Sequence, residues 1–150
     1  MTTTVAFADL STLVGKDLGH SDWFEVTQER INTFADATDD HQWIHVDPER
    51  AKDGPFGAPI AHGFLTLALF IPLWVDLLDV QGATTKVNYG LDKVRFVSPV
   101  PAGSRIRLSA SVAEVTEAGG GIQMAVDATI EIEGGTKPAV VARSLQRFYA

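Results

Sequence analysis

The sequence contains no cysteine. That absence excludes a disulfide scaffold, a thiolate zinc site and a cysteine nucleophile. Positive charge is also scarce: 12 Lys and Arg stand against 19 Asp and Glu, a net charge of −7. A general nucleic-acid binder normally shows a clustered basic face, so that class is disfavoured. No apolar run reaches the ~20 residues of a membrane span. The most apolar stretch, 60–75, is interrupted by His62, Gly63, Thr66 and Pro72. The opening residues MTTTVAFADLSTLVG lack the basic-then-apolar pattern of a secretory leader. The expectation is a cytoplasmic protein with neither nucleic acid nor membrane as a partner. Two catalytic signatures are missing as well. There is no His-Glu-x-x-His helix and no Gly-x-Ser-x-Gly elbow, the marks of zinc peptidases and of one large class of serine hydrolases.

What is present suits one domain with a sizeable core. A chain of 150 residues, 45% of them hydrophobic, buries roughly 70% of its unfolded surface. The charge is uneven. Residues 1–85 hold 4 basic and 13 acidic side chains, and residues 86–150 hold 8 and 6. The C-terminal part could therefore face an anionic ligand, although scatter over a solvated surface explains the same numbers.

The pattern of residues predicts the elements. Val5–Val14 reads as a short amphipathic helix ended by Gly15, and Ser21–Val26 as a strand. Thr27 is placed to cap a helix running to about Ala37, with Glu29 in its first turn. Residues 38–58 are dense in Asp, Gly, Pro and His and read as irregular, with one helical turn at Pro48–Lys52. A loop of that length inside a compact domain is usually functional or disordered; Trp43 and Phe56 argue for order. Ile60 to about Leu78 is apolar almost all round, the mark of a buried helix. Pro72 should kink it or end its first section. Thr84–Leu91 and Val94–Val97 are strand-like. After these come three long alternating strands, around Ile106–Val112, Ile122–Ile132 and Pro138–Tyr149, separated by Gly119-Gly120-Gly121 and Gly134-Gly135. The sum is an α+β fold: an antiparallel sheet wrapped round one long helix.

The chemistry concentrates in 36–63. Asp40 and His45 are the pair of interest. A carboxylate and an imidazole facing one cavity can hold a single water and take and return its protons. Asp39, His41 and Asp47 compete in the same stretch, and loop polars of this kind also serve simply as caps and turns. Gly63, near the start of the apolar helix, would let a ligand approach backbone N–H groups that lack an intrahelical partner. A donor of this kind suits a developing oxyanion. Close packing of the helix against a strand would equally explain the glycine. His41 and His45 are four apart, with Asp40 or His62 as a third ligand, but the pattern of a metal helix is absent.

The run F-A-D-A-T-D-D-H-Q-W-I-H-V-D-P-E-R-A, followed by G-P-F-G-A-P-I-A-H-G-F, resembles the hydratase-2 signature of MaoC-like dehydratases, the (R)-specific enoyl-CoA hydratases of the hot-dog superfamily. N-Y-G-L-D-K-V-R-F-V-S-P-V-P at 88–101 is similar to the same family, especially its nodulation-protein-N-like branch. The resemblance covers roughly Ser21 to the C-terminus and implies a single MaoC-like hot-dog domain over 1–150. It places the catalytic pair on Asp40 and His45. Asp39 stands where the family has Gly, and Gln42-Trp43 where it has Asn-Pro, so Gln42 is the candidate for the supporting polar contact. Gly63 falls on the glycine whose N–H polarises the thioester carbonyl.

The resemblance implies syn addition of water to a trans-2-enoyl-CoA, giving an (R)-3-hydroxyacyl-CoA, or the reverse dehydration. It implies no metal and no redox cofactor; CoA is a handle on the substrate. Arg95, Lys93 and Arg107 are candidates to meet its phosphates. It also implies a homodimer formed by extending the sheet, which removes an edge strand. Three rivals remain at this level: an acyl-CoA thioesterase, a non-catalytic acyl-thioester binding protein, and a dehydratase acting on carrier-protein substrates. The first usually needs a carboxylate on the central helix, and 60–75 has none.

Overall fold

Alternation of apolar and polar residues builds the largest part of the molecule. The computed structural model describes all 150 residues. Its main sheet has six strands: β2 (Asp17–His20), β3 (Phe24–Glu25), β5 (Thr85–Phe96), β6 (Arg105–Ala118), β7 (Gly121–Ile132) and β8 (Val140–Tyr149). The order is β2-β6-β7-β8-β5, with β3 also on β6. All of these pairings are antiparallel, so the expected meander of three long strands is the centre of the sheet. Gly119 and Gly120 join β6 to β7 with φ of +59° and +82°. Two positive φ values in succession make the tight hairpin that matches strand twist.

The inward-facing residues form the core. Ile106, Leu108, Ala110 and Val112 of β6 meet Met124, Val126 and Ile130 of β7, all buried. Against them lies the helix, in two pieces: α4 (Gly63–Ala68) and α5 (Phe70–Val75). The break at Leu69 follows from Pro72, which has no N–H for the Ala68 carbonyl four residues back. Leu65, Leu69, Phe70, Leu73 and Trp74 are buried. Phe64 and Val75, expected inside, stand exposed. The helix is therefore one-sided in this chain and not buried all round.

Other expectations are corrected. Ile60–His62 is not helical: Ile60 bridges Pro101, and the Ala61 N–H donates to Val100. These tertiary bonds outweigh helical propensity. Val5–Val14 is not one helix. Its first residues belong to β1 (Thr3–Ala6), which pairs in parallel with β4 (Leu78–Gln81), and a 3-10 helix follows at Phe7–Leu13. A neighbouring strand claims residues that read as helical in isolation. Of the strand expected at Ser21–Val26, only β3 at Phe24–Glu25 forms; β2 ends just before the range, at His20. The two segments expected at 84–97 are one strand, β5, with irregular pairing near Tyr89 and Asp92.

The expected irregular stretch contains two short helices, α2 (Trp43–Val46) and α3 (Pro48–Ala51). Before it, α1 (Gln28–Thr38) is capped as anticipated, the Thr27 hydroxyl accepting from the Arg30 N–H at 3.1 Å. No helix is long and apolar enough to cross a membrane. The far side of β5 pairs with nothing, and Val87, Tyr89, Leu91 and Phe96 along it are exposed.

Candidate functional site

The site begins where α1 ends. Asp39 takes a left-handed conformation, φ 59° and ψ 24°, and it is the only non-glycine residue of positive φ. Asp tolerates this region better than most L-residues because its short polar side chain bonds locally. The resemblance puts glycine here, and Asp39 adopts the backbone that glycine would. The chain reverses, and the next residue is Asp40. The Gln42 N–H points at the Asp40 carboxylate from 3.5 Å. The Gln42 carbonyl then accepts from the His45 N–H at 3.0 Å and starts α2. Gln28 of α1 donates to the His45 carbonyl at 2.7 Å, which ties α2 to α1.

His45 is buried, and its Nδ1 lies 2.6 Å from the Ile60 carbonyl. A carbonyl only accepts, so Nδ1 carries the proton and Nε2 holds the lone pair. That tautomer is the one a general base needs at Nε2. His62 lies face to face with His45, ring centroids 3.9 Å apart and 22° from parallel. Its Nε2–H donates to the Asp40 main-chain carbonyl at 3.0 Å. Burial is the largest influence on His62 and pushes its pKa below the ordinary imidazole value. One donor atom from each of Asp40, His45 and His62 lies within 4.8 Å of the others. Asp40 is exposed and both histidines are buried.

The trio fits a cation poorly. Each imidazole offers its lone pair in the plane of its ring, and these planes are nearly parallel and separated by the stack. A cation in the plane of one ring would sit out of the plane of the other. His45 Nδ1 and His62 Nε2 are in any case turned to carbonyls. The arrangement suits proton transfer.

The competing loop polars sort themselves. His41 pairs with Asp36 at 2.8 Å on the surface. Asp47 caps α3, accepting from the Arg50 N–H at 3.1 Å. The Gln42 side chain is exposed and makes no hydrogen bond within the chain; only its backbone touches the site. Arg95 is not brought to the cluster. It is exposed on β5 and its guanidinium folds onto the neighbouring Val94 carbonyl at 2.8 Å. Arg107 is engaged by Glu131 at 2.6 Å and lies over Trp23.

Gly63 follows His62 directly, and its N–H donates to nothing in the fold. The Phe96 ring covers its Cα so closely that a Cβ there would meet ring carbons at 3.2 Å. Both readings of the glycine are thus compatible with the structure: it admits a strand residue, and it leaves a backbone donor free. A cavity of about 290 Å³ opens beside it, lined by Phe56, Ile60, Thr66 and Phe96. One helical turn further on, an apolar groove of about 220 Å³ runs between α4–α5 and strands β5 and β8. Leu67, Ile71, Leu91 and Ala142 line it, with Ser144 and Gln146 as a polar wall. The largest depression, about 650 Å³, is on the sheet around the Asp127–Arg143 pair; it shares Ala142 with the groove and includes none of Asp40, His45, His62 and Gly63.

His62 is the residue that sequence reasoning undervalued. It entered there only as a spare metal ligand, because nothing in its neighbours reveals a ring stacked on another ring 17 positions away.

The description "MaoC like domain" matches residues 9–133. The 3-hydroxyacyl-thioester dehydratase Z of Mycobacterium tuberculosis is 53% identical over 151 residues, covering 100% of both chains. Nodulation protein N of Rhizobium meliloti is 46% identical over 141 residues, covering 92% of this chain and 88% of that protein. Among solved structures, the (R)-hydratase from A. caviae involved in PHA biosynthesis superposes with a TM-score of 0.74 at 24% identity, covering 91% of this chain and 96% of that one. This last is a likeness of fold.

Proposed function

Because the chain belongs to the MaoC-like domain family, we propose that it hydrates trans-2-enoyl-CoA to (R)-3-hydroxyacyl-CoA and runs the reverse dehydration. The observation that carries this reading is the pairing of His45, whose Nε2 lone pair is free, with the Asp40 carboxylate a few ångströms away.

The chemistry follows from these groups. One water sits between the Asp40 carboxylate and His45 Nε2. Its oxygen adds to Cβ of the enoyl thioester as the pair takes one of its protons. The pair returns a proton to Cα on the same face, so the elements of water add syn. Negative charge gathers on the thioester oxygen in between, and the Gly63 N–H meets it. OH goes to Cβ and H to Cα with no net oxidation or reduction, so no redox cofactor is called for, and the Asp40–His45 pair activates the water without a metal. The acyl tail lies along the groove under Leu67 and Ile71. CoA leaves the site past Gln42 toward the β5 side, where Arg95 and Lys93 supply positive charge.

The working unit is a homodimer in the cytoplasm. The free side of β5, with exposed Val87, Tyr89 and Leu91, and exposed Phe64 and Phe96 beside it, supports edge-to-edge pairing of two copies. The absence of a carboxylate from α4 and α5 weighs against a thioesterase.

Crotonyl-CoA tests the reading. Loss of the enoyl absorbance with formation of the (R)-3-hydroxy product is the expected result. Release of free thiol would favour the thioesterase, and binding without turnover the non-catalytic alternative. A much faster reaction on the carrier-protein thioester would replace CoA as the substrate handle. Sedimentation of the purified chain decides between dimer and monomer.

A further inference from the structure

His62 is the buried ionisable residue to which the proposed chemistry gives no step. It is 3% exposed, and three contacts define its place. Its Nε2–H reaches the Asp40 carbonyl, its face lies on His45, and Phe34 of α1 meets it at 4.7 Å and 53°. Its own carbonyl accepts from the Thr66 N–H at 3.1 Å, within the turn that Gly63 opens. One residue therefore joins the segments that carry Asp40 and His45, through its side chain, to the turn of Gly63, through its main chain. Its Nδ1 is buried with no partner. A buried unpaired acceptor costs free energy, and an apolar ring of similar shape would avoid that cost. The one hydrogen bond this ring does make is through the N–H on its other side, to the Asp40 carbonyl.

We propose that His62 is the positioning residue of the Asp40–His45 pair: its N–H clamps the Asp40 main chain so that the carboxylate faces His45 Nε2, while its ring fixes the plane of His45. This rests on the reading of Asp40 and His45 as the acid–base pair.

The clamp needs a neutral ring. A proton on Nδ1 would put a second N–H where no acceptor exists and a charge against the His45 face. The ionisable groups around His62 are Asp40, His41 and His45. Burial dominates and lowers its pKa; the hydrogen bond to the Asp40 carbonyl opposes this, His45 adds to it, the Asp40 charge opposes it, and His41 adds to it. Because the folded value lies below the ordinary imidazole value of about 6.5, the clamp is complete above that pH. It is lost as pH falls through the lowered value.

Two variants separate the N–H from the ring. His62→Phe keeps the stack and removes the donor. His62→Gln removes the stack, but its amide N–H reaches the place of Nε2. With crotonyl-CoA, His62→Phe should lower kcat about tenfold or more, the scale of a small misplacement of reacting groups, and leave KM within a few-fold. His62→Gln should recover most of that loss. Wild-type kcat in His62→Phe, or equal impairment of two folded variants, overturns the clamp. A second readout needs no substrate. Nitrogen NMR of the unliganded wild type should show His62 as the neutral Nε2–H tautomer through neutral pH. The Nδ1–H tautomer, or titration at the ordinary imidazole value, overturns the proposal even where turnover is normal. If the chain fails to hydrate crotonyl-CoA, the function reading falls alone, and the tautomer of His62 still decides the clamp.

Discussion

The meander β6–β8 and the segment from Asp39 to Gly63 are held together in different ways. In the meander, continuous ladders of hydrogen bonds and a buried apolar face share the work among many residues. No single ladder bond matters much. The segment has no ladder. Its shape depends on individual contacts: Gln28 to the His45 carbonyl, His45 Nδ1 to Ile60, His62 Nε2 to Asp40, and one left-handed residue at Asp39. Stability is thus distributed in one region, and chemistry is concentrated in the other. A substitution in the first should lower stability and leave kcat per folded molecule alone; a substitution in the second should do the opposite.

The sharpest way to break this division is at the dyad. Asp40→Asn and His45→Gln should each lower kcat by about 10²-fold or more, the usual scale for acid–base groups. The thermal midpoint of Asp40→Asn should stay close to the wild type, whereas His45→Gln also gives up the buried bond to the Ile60 carbonyl and should melt somewhat earlier. Asp40 is exposed, so its replacement leaves no buried charge unpaired. A variant that melts early and loses activity in proportion would place Asp40 among the structural residues and dissolve the comparison.

Leu108→Ala is the counterpart in the meander. Leu108 is fully buried on β6 opposite Ile130. Truncating a buried Leu costs about 2–5 kcal/mol, the range set by how far the cavity collapses. Chemical denaturation should show that loss, with kcat per folded molecule retained. An unchanged midpoint would mean that the core does not carry the fold.

The same contrast governs what was legible in the residues. Strands β6 to β8 were readable because alternation repeats over many positions and each repeat reports the same burial. The cap at Thr27 was readable because capping is a local bond. The pieces that escaped depend on partners distant in sequence. β1 exists because β4 lies beside it, and Ile60 leaves the helix for Pro101. Asp40 and His45 were nameable as a pair. The reason they meet is a histidine 22 and 17 positions further on, in contact with both. Arg95 was chosen for its charge alone; it lies apart from the Asp40–His45 pair, with its guanidinium on the Val94 carbonyl.

Gly63→Val lies between the two regimes. A Cβ at 63 would press on the Phe96 ring at 3.2 Å. That ring is half exposed and can give way, so the expected loss of stability is small, on the order of 1 kcal/mol. The displaced ring and the added methyl groups would crowd the space beside the free N–H. KM for crotonyl-CoA should rise and kcat fall, together by about tenfold or more in kcat/KM. Unchanged kinetics would remove Gly63 from the site and leave it as a packing glycine.

The smallest effect, and the most telling about the loop, concerns Asp39. A left-handed conformation costs an ordinary L-residue about 1–2 kcal/mol, less for Asp. Glycine relieves that strain but gives up about 0.5–1 kcal/mol of unfolded-state entropy. These terms nearly cancel, so Asp39→Gly should change stability by about 0.5 kcal/mol or less. Asp39→Val meets the strain in full. It should lose more than about 1 kcal/mol, and because the reversal at this residue aims Asp40, kcat should fall with it. Equal stability of the Gly and Val variants would show that the turn is set by the bonds around it, with His62 first among them, and that residue 39 merely follows.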